Sequence, residues 1–250
     1  MRTRALARMY GKSPQVRLPR LAAAVAELRE TRSGPDDRYA TLAYVYAAEL
    51  TEAGRRAEAL VAGAEAIAAA RAVYAVRPDR RRDLFALCLT NQASLMVADL
   101  PAGRDELRAL LDEAFEVLAP WLAEPSAGRA RLVSRAYALR GHVELAAGLP
   151  AVAEPLLWRA HWTGLRMPRH HRTTPESLLW EAAVVRALST CRRADDDDAE
   201  ADRLGDLARK VEQASKDLRR SGKELRAAIS DVADVLRGRS VQAPEDTRGR

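Results

Sequence analysis

Aromatic residues make up only 5% of this 250-residue chain, and cysteine occurs just twice. Cys88 and Cys191 stand far apart with no CxxC spacing. That excludes a disulfide framework or a thiolate zinc site as the source of stability, and it predicts two reduced thiols in helical segments. Glycine (13 copies) and proline (12 copies) are sparse and gather between long segments of Ala, Leu, Glu and Arg. This is the balance of an all-α protein, not of a sandwich or an α/β sheet. No uninterrupted apolar run reaches the roughly 18 residues a membrane span needs. The opening MRTRALARMYGKSP has no signal-peptide core, so a cytoplasmic protein without membrane contact is expected. GxxxxGK[ST], GxGxxG after a strand, GxSxG and HExxH are missing as well. The expectation is a non-enzyme with no catalytic residue, no metal and no cofactor.

What is present is charge, unevenly placed. Arginine outnumbers lysine 37 to 4, a mark of GC-rich coding, and the formal net charge is +6. Residues 1–32 hold eight basic side chains against Glu27 and Glu30, so the rest of the chain is neutral. A local excess of this kind can attract phosphates or acidic partners, which a neutral surface cannot.

Along the chain, helical periodicity is punctuated by turn residues. Pro14 and Pro19 predict a helix start near Arg20, and SGPDD at 33–37 supplies Asp36 or Asp37 as the next N-cap,. Helices are expected at 39–53 and 55–76 around Gly54, at 84–98 and 105–118 around LPAG, and at 131–147 and 151–165 around GLP. Pro155 offers a later start, at Glu154, for the last of these,. Three helical hairpins about 45 residues apart are the mark of a solenoid, since one such unit cannot bury its own apolar face alone.

Gly54, Ala59 and Ala66 are five and twelve residues apart, and Gly148, Ala153 and Ala160 repeat that spacing; Tyr137 and Gly141 precede Gly148 by eleven and seven, as Ala43 and Ala47 precede Gly54. In the second hairpin Leu107 and Ala114 take the corresponding places, with Gly103 displaced by one. Over residues 37–168 this pattern resembles the tetratricopeptide repeat in an extended-helix form. The resemblance implies a right-handed α-solenoid of stacked hairpins whose first helices line a concave groove for a protein or peptide segment. Carried across, the groove residues are Tyr44, Ala48, Thr51, Gln92, Met96, Asp99, Arg135, Ala138 and His142. The set lacks the asparagines and lysines with which some members of that family clamp a C-terminal carboxylate.

Beyond the hairpins, a helix is expected at 175–193 with Trp180 toward the core. DDDD at 195–198 has neither the spacing nor the glycine of a calcium loop, and it reads as the acidic start of another helix,. Leu204, Val211, Leu218, Leu225 and Val232 recur every seven residues, with Leu207, Ala214, Ser221, Ala228 and Val235 three places after them. This predicts a long helix at about 199–236 that either caps the array or pairs with a second copy as a coiled coil. The domains are then a basic arm and short helix (1–34), three hairpins (35–170), the extra helix and the heptad helix (171–237) and a disordered tail (238–250).

The function expected is a non-enzymatic adaptor for a protein or peptide. The rival from another class is the sensor module of a transcriptional regulator whose basic arm touches nucleic acid or a DNA-binding partner. It is disfavoured because the arm lacks helix-turn-helix length and has no interleaved aromatic beyond Tyr10. A metal-dependent enzyme using His161, His170 and His171 ranks third, since adjacent histidines share no helical face.

Overall fold

The computed structural model describes residues 9, 10, 13–100 and 102–220, and every regular element among them is helical. The helices are α1 (Pro14–Thr31), α2 (Asp37–Glu52), α3 (Arg56–Val76), α4 (Pro78–Met96), α5 (Arg104–Leu118), α6 (Ala130–Ala146), α7 (Pro150–Leu165), the short α8 (Arg169–Arg172), α9 (Pro175–Ala194) and α10 (Asp198–Arg220). Single 3-10 turns follow α4 at Val97–Asp99 and α5 at Ala119–Trp121.

The same turn closes three helix pairs. Gly54 sits at φ 74°, its N–H donates to the Thr51 carbonyl (3.1 Å), and the Arg55 N–H reaches back to Leu50 (3.0 Å). Gly148 at φ 73° repeats both bonds, to Leu145 and Glu144, each at 3.0 Å. Asp196, at φ 58°, repeats them again, to Arg193 (3.3 Å) and, through the Asp197 N–H, to Arg192 (3.0 Å). A left-handed residue lets the following N–H satisfy a carbonyl five places back; Gly adopts it freely and Asp tolerates it. Five and twelve residues after each turn residue stands an alanine: Ala59 and Ala66, Ala153 and Ala160, Ala201 and Ala208, all 1% exposed or less. Small side chains there let the two helices of a pair approach closely. Gly141 marks the same proximity from the other side, since a Cβ on it would meet Leu157 at 2.7 Å.

Helices α9 and α10 thus form a fourth pair with the spacing of the others. The heptad residues Leu204, Leu207, Val211, Ala214 and Leu218 pack within the chain, on α9 and its Leu178 and Ala182. The remainder of the expected 199–236 helix, from residue 221 on, and the 238–250 tail lie outside the described residues. The pair α4/α5 departs from the pattern: the 3-10 turn lengthens its connection, and Gly103 at φ 75° stands immediately before α5. Leu107 and Ala114 are nonetheless fully buried. Each helix packs on its neighbours in sequence, and the first helices of successive pairs also touch, α2 with α4, α4 with α6 and α6 with α9. One apolar cluster runs from Leu21 and Val25 of α1 to Leu204 and Ala208 of α10, with both cysteines inside it.

Prolines open four helices, three of them earlier than expected. Pro14, Pro78, Pro150 and Pro175 each stand in a first turn, where a missing N–H costs nothing,. Helix α1 therefore begins at Pro14 and carries Pro19 inside it, and α7 begins at Pro150 with Pro155 inside. Tertiary contacts hold the first turn of α1: Leu18 is buried against Leu50 and Ala47, and Arg17 pairs with Glu49 at 2.5 Å, both side chains largely buried. Residues 14–31 are therefore part of the packed body. Arg29 pairs with Glu65 at 2.6 Å, and just beyond the helix Arg32 lies 4.3 Å above the Tyr39 ring. Residues 1–8 lie outside the described residues.

Two other features follow local chemistry. Asp36 caps α2, accepting from the Arg38 (2.6 Å) and Tyr39 (3.1 Å) N–H groups, and RHHR is a turn of helix where a loop was expected. Among the described residues one helix, Arg56–Val76, is long and apolar enough by composition to cross a membrane. Its Ala59, Ala62, Ala66, Ala70 and Val73 are buried within the protein, and its Glu65 and Arg71 are ion-paired.

Candidate binding face

The nine candidates from the sequence do not share one surface. On α6, Arg135, Ala138 and His142 recur at three and seven residues and so lie along one stripe of the helix,. On α2, Tyr44, Ala48 and Thr51 do the same. The two stripes belong to one environment, because Tyr44 lies within electrostatic reach of Arg135 and Arg131. Tyr44 and Ala138 are buried, while Ala48, Thr51, Arg135 and His142 are half-buried.

Helix α4 faces this environment with other residues than those expected. Ser94 receives the Arg135 Nε–H at 2.9 Å. At about 100° per residue, Gln92 points nearly opposite to Ser94, and Met96 and Asp99 lie with Gln92. The Gln92 amide nitrogen donates to the Leu60 carbonyl of α3 (3.2 Å), and its oxygen is buried without a hydrogen-bond partner. Asp99 pairs with Arg56 of α3 at 2.5 Å, and this guanidinium depresses its carboxyl below the ordinary value. Gln92, Met96 and Asp99 instead line a separate cleft of about 350 Å³, together with Leu60, Gly103 and Glu106. The physical reason is the 3-10 turn at Val97–Asp99: a longer connection rotates the helix, so counting back from the turn reaches the wrong face.

Arg135 is the chemical centre of the first surface. Its guanidinium carbon lies 5.9 Å from the centroid of the Trp180 ring on α9, and its Nε is held by Ser94. Burial pulls its pKa down to about 10, with Tyr44 opposing and Arg131 reinforcing the shift, so it remains a cation at neutral pH. No carboxylate among the described residues forms an ion pair with Arg135 or with Arg131, the exposed arginine one turn earlier. Arginines at comparable depth do have acids: Arg17 has Glu49, and Arg108 and Arg140 share Glu144. Burial also raises the Tyr44 phenol and lowers the His142 imidazole.

No family model matches this chain, and no curated protein matches it either. The likeness to tetratricopeptide repeats therefore rests on turn geometry and small-residue spacing.

The three histidines considered for a metal are not assembled. His161 is buried, with its Nδ1 paired to Glu181 and its ring edge-on to Trp158 and Trp162. His170 and His171 lie side by side in α8, ring centroids 4.2 Å apart and tilted by 42°. Among the described residues no three His, Cys, Asp or Glu side chains stand together as a metal site. Trp158 and Trp162 stack at 6.0 Å, and Trp158 donates to Glu154 (3.1 Å), which also pairs with Arg192 of α9. These two tryptophans are thus tied into the junction of α7 and α9.

Sequence reasoning missed Ser94 and Arg131; Trp180, expected toward the core, packs partly buried against it and also lies beside Arg135. One signal was available: neither Arg131 nor Arg135 has an acid three or four residues away on its helix, the spacing at which a helical ion pair forms.

Proposed function

We propose that this chain is a non-enzymatic protein-binding adaptor, built as a right-handed α-solenoid of four tetratricopeptide-like pairs. The observation that carries this reading is the repeated contact of first helices. With α2 on α4, α4 on α6 and α6 on α9, one continuous face collects Tyr44, Ala48, Ser94, Arg135 and Trp180. A face made of buried and half-buried side chains from four separate helices suits an extended or helical segment, which can touch several pairs at once. The basic N-terminal region favours the nucleic-acid alternative less, since Arg17, Arg29 and Arg32 already have partners within the protein.

Site-specific photo-crosslinking tests the reading. A photoreactive residue at Ala48, on the inner face, is compared with one at Val61, which is 72% exposed on α3. The adaptor reading expects a discrete crosslinked partner from position 48 and none from position 61. Equal crosslinking from both, or crosslinks from position 61 alone, would refute it.

A further inference from the structure

Resting on the adaptor reading, we infer that the face shared by α2, α4, α6 and α9 binds an acidic peptide segment of a partner protein, one carboxylate of which is taken by Arg135 with help from Arg131. The argument begins with cost. A guanidinium drawn into a protein without an acid is unfavourable, and ordinary folds either pair such a group or leave it on the surface. Here Arg17, Arg108 and Arg140 follow the rule, and Arg135 does not.

The local geometry holds this cation ready. Ser94 holds the Nε, and the centroid of the Trp180 ring lies 5.9 Å from the guanidinium carbon. Neither Nη group makes a hydrogen bond to a described residue, and neither is sealed from water. A guanidinium whose two Nη groups have no partner within the described residues has two parallel donors to offer a carboxylate,. Arg131, one helical turn away with its Cβ about 6 Å from that of Arg135, supplies a second positive charge within electrostatic reach.

Charge complementarity thus selects an anion, and the surroundings select a peptide. Half-buried Ala48, one turn from Tyr44, gives the same face a small apolar surface, which suits a main chain with apolar side chains beside its acid,. A nucleic-acid surface would present a spread of exposed cations along a backbone track instead.

The test is selection of displayed random dodecapeptides against the whole chain and against Arg135→Gln and the exposed-site variant Arg131→Gln. The strongest peptide is then titrated by fluorescence anisotropy. Peptides enriched in Asp and Glu are expected from the unaltered chain, with the enrichment lost for Arg135→Gln and reduced for Arg131→Gln. Arg135→Gln should weaken the selected peptide by about 30-fold or more, as removal of one partner of a desolvated charge pair does. Changing the peptide's acid to its amide should weaken binding as much, with no further loss when both changes are combined. Binders without acidic enrichment, or equal affinity for Arg135→Gln, would overturn the inference and leave the adaptor reading standing. Failure to select any peptide would overturn both. Binding of a single-stranded oligonucleotide that depends on Arg135 and displaces the selected peptide would replace the acidic peptide with a nucleic acid.

Discussion

Replacing Arg135 by methionine should make the protein more stable. A cation of this type held at about 10 is disfavoured in the folded state by about 3 kcal/mol. The side chain is only half-buried, so solvent screening lowers the penalty to about 2 kcal/mol. Methionine fills a similar volume and keeps a contact on Trp180, its thioether on the ring offsetting most of the lost cation–π attraction of about 1 kcal/mol. Ser94 is not stranded, since its hydroxyl also bonds the Thr90 carbonyl at 2.9 Å. The net gain for Arg135→Met is about 1–2 kcal/mol, equivalent to a rise in Tm of roughly 3–6 °C for a chain of this size. Thermal unfolding followed by circular dichroism reads the shift, and urea unfolding should show a higher midpoint with an unchanged slope. A fall in Tm of similar size would mean that Arg135 stabilises the fold, and the energetic reason to look for an external acid would disappear.

Three further expectations concern the frame. Asp196→Gly should raise stability by up to about 1 kcal/mol and Gly148→Ala should lower it by about as much, because both positions are left-handed; denaturant midpoints moving in the same direction for both would contradict the shared turn. Val211→Glu should lower stability by about 3 kcal/mol or more, because Val211 is fully buried and a lone charge there is uncompensated. The mass by light scattering should stay constant, whereas loss of a dimer would restore the coiled-coil role for this helix. Gly141→Ala should cost about 1–3 kcal/mol by overpacking against Leu157, and Leu157→Val should recover part of it; strict additivity of the two changes would place the strain elsewhere.

The pairs α2/α3 and α6/α7 were legible because glycine is the residue chemistry prefers at a left-handed turn, and Gly54 and Gly148 announce it. The pair α9/α10 was hidden by the same logic, since Asp196 performs the turn without looking like one. Its second helix was misleading in another way. A helix lying antiparallel along a single long neighbour repeats its apolar residues with the same period of seven as a coiled coil, so Leu204, Val211 and Leu218 could not show whether the neighbour was α9 or another molecule. Pro19 and Pro155 suggested helix starts that packing overrode, since Leu18, Arg17 and Leu157 anchor the turns around them. On the candidate face, Tyr44 and Arg135 were carried over from the repeat resemblance and stand within electrostatic reach of one another. Gln92, Met96 and Asp99 do not join them, because one 3-10 turn shifts the angular register of α4 without altering its periodicity.

The two thiols provide a clock for how the protein comes apart. Cys88, in α4, is 2% exposed, and Cys191, in α9 and within electrostatic reach of Glu154 of α7, is fully buried; burial raises both thiols, Cys191 to about 11. Neither can react with an alkylating agent until the helices over it open. Elements held from one side open at lower free energy than those held from two, and among the described residues α10 packs chiefly on α9 alone. Opening of α10 leaves α9 held from one side alone, so modification of Cys191 should run ahead of Cys88 under native conditions,. The ratio of the two rates would show whether the chain melts as a single body or peels from the α10 end.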